Sequence, residues 1–534
     1  MIGLINKIKY PGWIALLSLL IASRLGAVEY YVDPSGNNEE NDGLSPGSPF
    51  LTIQWAADIS QAGDTVWVAD GSYNEEVVIE NSGNSNSWIS FRSVDRYGAK
   101  ISNNWYNGFT VNASYIMIDG FDLSTPAVYG SGVGTGQGYH HIKVTNCYAH
   151  DCGQSGIAAW DNDYITIENN ICTRNAWLMP WAGSGISVYG AYKFDEESGP
   201  HIIVRNNISF NNDNGPETTM TDGNGIIIDD LFCTQDGHDF SVCVRNAYNA
   251  ETLVEGNLCF DNGGKGIQVY LAENITVRNN TCYLNTKRDD EGTWRGEISF
   301  SQVQDVRVIN NIAVCNTNMG FDISTYNNGL FIAQYGDHNT KDIIWKNNLT
   351  YDIADPDNDA YDIQVSLSEV ERSDNLFGVN PKLIHDTIDS LSADFRLAEG
   401  SPAIDAGTLE YGYSEKDLDG NPRLMRNGID IGCYEGIGEV LALKNSGAAK
   451  LQNELKLFPN PAVTTVFLRT GTTQFISQLR ILNISGQVLY ENKRSIPSEL
   501  DVSEFKDGLY FLQVFLSNGQ KITRSIVIHR LFNG

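Results

Sequence analysis

The run TDGNGIIIDD (221–230) places three branched aliphatic residues directly before two adjacent acids. Successive side chains on a strand point to opposite faces. If Ile226 and Ile228 face a core, Asp229 faces out and Asp230 faces in. An unpaired carboxylate in an apolar core is too costly to keep. The strand must therefore bend at Asp229-Asp230 and leave both acids at a corner. Asp222, Lys265, Arg295 and Glu297 complete a constellation of charged residues around this run. Removing a proton α to a carboxylate needs a base and stabilisation of the developing negative charge. Cleaving a glycosidic bond by hydrolysis needs two carboxylates at a set separation. The constellation contains residues for either chemistry.

Elements able to position these residues recur along the chain. IKVTNCYAHD (142–151), ITIENNICTRN (165–175), IIVRNNISFNN (202–212), TLVEGNLCFDN (252–262), ITVRNNTCYLN (275–285), VRVINNIAVCN (306–316) and IIWKNNLTYD (343–352) each read as strand, Asn-rich corner, strand. Their alternation marks strands with one buried face. The corner positions in register are Cys147, Asn170, Asn207, Asn257, Asn280, Asn311 and Asn348, and the shortest steps are 23 residues. A short period of strands and corners indicates a solenoid of parallel strands, with stacked Asn able to bond up the stack. A propeller needs a period of about 40 residues or more, and the leucine pattern of leucine-rich repeats is missing.

Steps of 37, 50 and 31 residues exceed the basal 23 by 14, 27 and 8. Insertions in a solenoid map to loops, often on the binding face. Here they include 175–184 (with Trp177 and Trp181), 212–223, 231–250 and 286–297. Aligning SGIAAW (155–160), SGISVY (184–189), NGIIID (224–229) and KGIQVY (265–270) on Gly-Ile predicts two rows. One is outward, Trp160, Tyr189, Asp229 and Tyr270. The other is Ser155, Ser184, Asn224 and Lys265. Strands stack about 4.8 Å apart, so an acid flanked by aromatic rings would line one groove. Flat apolar rings suit sugars, and outward aromatics covered by loops are the competing reading.

This pattern resembles the right-handed parallel β-helix proteins of the pectate-lyase-like superfamily, over roughly residues 29 to 436. The entry segment 30–79, with NDG…SPF.TIQ.A…AGDTV.V..G.Y, resembles the opening of secreted carbohydrate-active β-helices. Residues 394–436 resemble the closing piece of such helices; KDLDGNPR, with Asp417 and Asp419, lacks the ligand spacing of a calcium loop and reads as a cap. The expected fold is an all-β, right-handed parallel β-helix followed by a small β-sandwich. The resemblance implies calcium held by Asp and a Lys or Arg base in the β-elimination of a polyuronate. Asp222, Asp229 and Asp230 suit calcium as hard oxygen ligands. Lys265 is placed as base on geometry, since the Asp-Gly-Phe-Ala and Asp-Asp-Gly segments of such lyases are absent. Neighbouring carboxylates keep a lysine protonated and a bound cation reverses that, so this role requires the ion. The expected catalytic residues are Lys265, Asp229, Glu297 and Arg295. Trp160, Tyr189, Tyr270, Trp177 and Trp181 are expected to bind substrate. A glycoside hydrolase using Asp229 with Glu297 or Asp230 is the second expectation, and a non-catalytic glycan-binding surface protein the third.

The formal charge of −30 excludes nucleic acid as a partner. It also repels a free polyanion, so a polyuronate would need a cation. Lys7 and Lys9, an apolar run from Trp13 to Ala22, and Leu25-Gly26-Ala27 read as a secretory signal over 1–27, with no later membrane span. Cys147, Cys172, Cys259, Cys282 and Cys315 sit in strand-like contexts and read as buried small hydrophobes. Cys233 and Cys243 flank a loop and can pair in an oxidising compartment. After a linker at 437–454, residues 455–534 show short strands with Gly turns. Their FPNP…GLYF.QV pattern resembles the C-terminal sorting domain of the type IX secretion system, which implies that machinery as a partner and a secreted or cell-surface location.

Overall fold

The computed structural model describes residues 26–436 and 455–528. Exceptions are 180–182, 216–221, 236–237, 244–247, 288–295, 317–320, 325–339, 358, 360, 364–369, 391 and 426–427, and, in the tail, 459–464, 471–475, 484–486, 494–498, 507 and 517–520. The leader and the linker, as well as Trp181 and Arg295, lie outside the described residues.

Among the described residues, parallel strands stack into a 19-stranded and a 10-stranded sheet, as the periodicity predicts. Five strands carry the site: β1 (Ile157–Glu168), β2 (Ile186–Ala191), β3 (Ile226–Asp229), β4 (Ile267–Arg278) and β5 (Ile298–Ile309). The longer ones round a corner in mid-run, where Asp161 and Tyr164 of β1 both take φ of 49°. The larger sheet is thereby folded into two faces, and the smaller sheet supplies the third. Ile186, Ile226, Ile267 and Ile298 stack in register across neighbouring coils and are fully buried. Burying such side chains contributes about 1.5–3 kcal/mol each.

The Asn-Asn corners have a division of labour. The first residue turns the chain through the left-handed region: Asn169, Asn206, Asn279, Asn310 and Asn347 have φ between 53° and 58°. Asn enters that region more readily than most residues. The second residue is buried and joins a ladder. The Oδ1 of Asn257 accepts from the main-chain N–H and the Nδ2 of Asn207, both at 3.0 Å, and Asn257 donates in the same way to Asn280. The ladder runs from the Cys147 N–H through Asn170, Asn207, Asn257, Asn280, Asn311 and Asn348 to Asn375.

A second ladder follows at a constant offset from the first, through Asn175, Asn212, Asn262 and Asn285. The next residue at that offset, Asn316, is exposed, and the side chain of Glu297 instead accepts from the Asn285 N–H and Nδ2. This ladder also explains a column of glycines. A Cβ on Gly225 would lie 2.6 Å from the Gly266 carbonyl and 3.0 Å from Asn262 Nδ2. Gly266 meets the same obstacle from Glu297 and Asn285.

A short helix, Ile53–Ile59, packs Ile53, Ala56 and Ala57 against the first coils; Thr52 caps it by accepting from the Trp55 N–H. At the far end, Asp417 is buried and accepts from the main chain of Asn421 and Glu435, while Asp419 pairs with Arg396. Those carboxylates hold a turn, as the missing ligand spacing indicated. The tail forms antiparallel sheets of three and four strands around Val466, Leu479, Leu512 and Ile526. No described helix is long and apolar enough to cross a membrane. Cys147, Cys172, Cys259, Cys282 and Cys315 are buried, as expected, and Cys233 is joined to Cys243 by a disulfide.

Candidate functional site

Strand register sets Trp160, Tyr189, Asp229 and Tyr270 side by side on successive coils, continuing to Ser301. The second expected row also forms. The Ser184 N–H faces Ser155 Oγ, Asn224 Nδ2 faces Ser184 Oγ, and the Lys265 N–H donates to Asn224 Oδ1 at 2.8 Å. All four residues of that row are buried. The two rows stand at opposite ends of β3, because the backbone from Asn224 to Asp229 spans roughly 16 Å. The main chains of Lys265 and Asp229 therefore stand at opposite ends of the face.

Asp222 links the two ends. Its carboxylate lies 3.4 Å from Asn224 Nδ2, and the same amide donates to Gln268 Oε1. Asp229 is half-buried, and Gln235 Nε2 donates to it at 2.9 Å. Its carboxyl is held well above the usual carboxylate range, first by burial and then by the charges of Asp222 and Asp230; the Gln235 hydrogen bond opposes this. Such a site stores excess negative charge and relieves it by taking up a proton or a cation.

Asp230 differs from the expectation. The chain does bend there, with φ of 48°, but the carboxylate is fully buried rather than left at a groove corner. Its oxygens accept from the Thr234 N–H and Oγ1, the Gln235 N–H and His238 Nε2. An ion would have to displace these donors, so Asp230 anchors the following loop and is not placed as a calcium ligand. Glu297 is corrected too. It lies in the solenoid interior with both oxygens engaged by Asn285, and burial lifts its carboxyl to about 8 against the pull of those hydrogen bonds. The position before Ile298 faces the ladder, not the groove.

The aromatic row is largely covered. Tyr270 is buried with Phe232 and Leu271, and its hydroxyl accepts from Gln302 Nε2. Tyr189 stacks against His238, with centroids 4.3 Å apart. Trp160 remains half-buried, tilted against Tyr189. Trp177 is 43% exposed on its loop, outside the row.

Two residues of this face were missed in the sequence. His238, in the 231–250 insertion, reaches Asp161 with Nδ1 at 2.6 Å and Asp230 with Nε2 at 2.9 Å. Burial lowers the affinity of its ring for a proton, but the two carboxylates outweigh that and raise it to about 9. The Cys-His-Cys spacing of 233, 238 and 243 was the available signal. Asp161 carried none, because only the corner in β1 turns it toward the loop.

Two stretches, 58–232 and 180–340, match the family described as the right handed beta helix region, and together they cover more than half of the chain. This chain belongs to the right-handed β-helix family. Residues 456–529 match the secretion system C-terminal sorting domain. The β-helix is accordingly exported by type IX secretion to the cell surface or beyond it. Among curated proteins, it is 22% identical over 242 residues to a pectate disaccharide-lyase of Dickeya chrysanthemi, covering 45% of this chain and 27% of that one. It is 33% identical over 82 residues to the uncharacterized protein YwoF of Bacillus subtilis, covering 15% and 17%. The chain thus spans well under half the length of these relatives. Similar solved structures include pectate lyase Pel9A, with a TM-score of 0.46, 16% identity and coverage of 77% and 97%. A rhamnogalacturonan lyase gives a TM-score of 0.40, with 15% identity and coverage of 69% and 93%.

Proposed function

We propose that this β-helix is a secreted, polysaccharide-acting enzyme, and that it is a polyuronate lyase working by cation-assisted β-elimination. The carrying observation is Asp229: a half-buried carboxyl on a face partly covered by the 231–250 loop, loaded with the charge of Asp222 and Asp230. Asp229 together with Asp222 fits a hard divalent cation such as calcium, whereas Asp230 does not. When bound, the ion would neutralise the substrate carboxylate and stabilise charge on it. A surface of net charge −30 makes such screening necessary for a polyanion. Lys265, on the next coil from Asn224, is assigned as the base that takes the proton α to that carboxylate. Trp160 and Trp177 are assigned to contact neighbouring sugars. The relationship to a pectate disaccharide-lyase supports the substrate class.

A glycoside hydrolase is the second reading, favoured by the same raised carboxyl. A protonated Asp229 is suited to donate to a leaving oxygen. Its former partners, Asp230 and Glu297, are occupied by internal hydrogen bonds, which leaves Asp222 as the second carboxylate. Purified protein should be screened on polyuronates and neutral glycans with calcium and with chelator. Calcium-dependent appearance of unsaturated, ultraviolet-absorbing ends is expected. Chelator-resistant release of saturated reducing ends would replace the lyase reading with the hydrolase, and no release from any glycan would reject both.

A further inference from the structure

We propose that Cys233, Cys243, His238 and Asp161 form a soft-donor site for a zinc-class divalent ion, open when the two cysteines are reduced. One ligating atom from each of the four residues lies within 4.8 Å of the others, and all four residues are buried. Two thiolates, an imidazole nitrogen and a carboxylate oxygen are donors typical of four-coordinate zinc. Calcium prefers an all-oxygen shell, so this site and the Asp222–Asp229 face would select different ions.

The surroundings are built for a ligand at this spot. His238 turns Nδ1 toward Asp161 and Cys243 Sγ, the latter 3.9 Å away, and uses Nε2 on Asp230. Histidines that bind metals commonly hold their second ring nitrogen on a carboxylate in this way, which fixes tautomer and ring angle. Asp230 is in turn fixed by Thr234 and Gln235. Asp161 is oriented similarly: its Oδ2 accepts from Gln137 Nε2 and the Asp239 N–H, so that Oδ1 faces the ring. Gly190, at φ +68°, lets Asp161 and His238 come close to its backbone. A Cβ there would collide with Asp161 Oδ1 and lie 2.6 Å from His238 Nδ1.

The disulfide and the metal are alternative occupants. A phosphine reductant supplies two electrons to the S–S bond and takes oxygen from water, and the two protons of that water yield two thiols. Metal binding then releases both thiol protons and the proton shared by His238 Nδ1 and Asp161. In either state the 231–250 insertion stays tied to β1 through Asp161.

The test uses the full chain, reduced with a phosphine under nitrogen, loaded with zinc or cobalt and dialysed. Elemental analysis should find one tightly held metal per chain. Cobalt should give a thiolate-to-cobalt charge-transfer band. Oxidised wild-type protein, which needs no substitution, should hold none at this site. Cys233→Ser and His238→Gln should each lose the bound metal and the band. A reduced chain that dialyses free of metal would overturn the proposal. Equal stoichiometry in Cys233→Ser would do the same by placing the ion elsewhere.

Discussion

Tyr189 and His238 lie face to face, with planes 8° apart and centroids 4.3 Å apart. One residue comes from β2 and the other from the longest insertion. The stack shows that this insertion lies over the aromatic row and does not stand beside it as a wall. Removing the ring should therefore do more than uncover a tyrosine. In His238→Ala, Asp161 and Asp230 lose their shared partner while both remain buried. Breaking a buried charged pair costs about 3–5 kcal/mol. Urea denaturation at constant pH should show a loss of that order. A change below about 1 kcal/mol, within the range of exposed ion pairs, would mean that the loop is not held through this residue.

Asp229 and Asp230 are neighbours with opposite expected phenotypes. Asp229→Asn removes a charge from a site that already carries too much, so stability should hold or rise while turnover falls by at least about 100-fold. Asp230→Ala leaves the donors of Thr234 and Gln235 unpaired and should destabilise by several kcal/mol. Thermal unfolding and activity measured on both variants check the division. Equal losses of stability would erase it.

Glu297 gives a pH dependence with a definite sign. Its folded carboxyl titrates at about 8, against about 4.3 for an unfolded glutamate. Between those values the folded chain binds the extra proton, so the Glu297 contribution is complete at low pH and declines as pH rises toward 8. The slope is at most about 1.4 kcal/mol per pH unit. Glu297→Gln keeps an acceptor for Asn285 and removes the titration. Unfolding midpoints from pH 5 to 9 should be flatter in the variant, and superimposable profiles would contradict the assignment.

The ladders predict a graded cost. Asn257→Ala removes the acceptor for Asn207 and a donor to the Val204 carbonyl. Unsatisfied buried groups cost about 1–3 kcal/mol each. Gly225→Ala forces a methyl against the Gly266 carbonyl and the second ladder, with an overpacking cost of about 1–3 kcal/mol. Both should lower the denaturation midpoint without altering metal binding at Cys233 and Cys243.

Lys265→Ala tests the proposed base separately from folding. The main-chain N–H that meets Asn224 survives the change, so the row should persist while β-elimination is lost. Full turnover in this variant would remove Lys265 from the mechanism.

Much of the solenoid was written into the sequence because its forces are local and periodic. Alternating Ile and Val mark the inward positions, Asn-Asn marks a corner where one residue must turn left-handed and the next must bond upward, and Gly-Ile sets the row register. These needs recur at each coil, so repetition exposes them, and the rows at Trp160–Tyr270 and Ser155–Lys265 could be aligned by eye. The second ladder, at a fixed offset from the first, is written in the sequence in the same way. The tertiary structure decided what happens where repetition stops. Periodicity cannot say that Glu297, and not Asn316 at the repeating offset, bonds Asn285, because both residues are present in the sequence. Nor can it say that the 231–250 insertion folds back to place His238 between Asp161 and Asp230. Asp161 is distant in sequence from the other two and meets them only because coils stack about 4.8 Å apart and a loop closes over it. The sequence alone determined the scaffold and the location of the acids; three-dimensional packing decided which acid, Asp229, is left half-buried beside like charges and which, Asp230 and Glu297, are consumed in holding the fold.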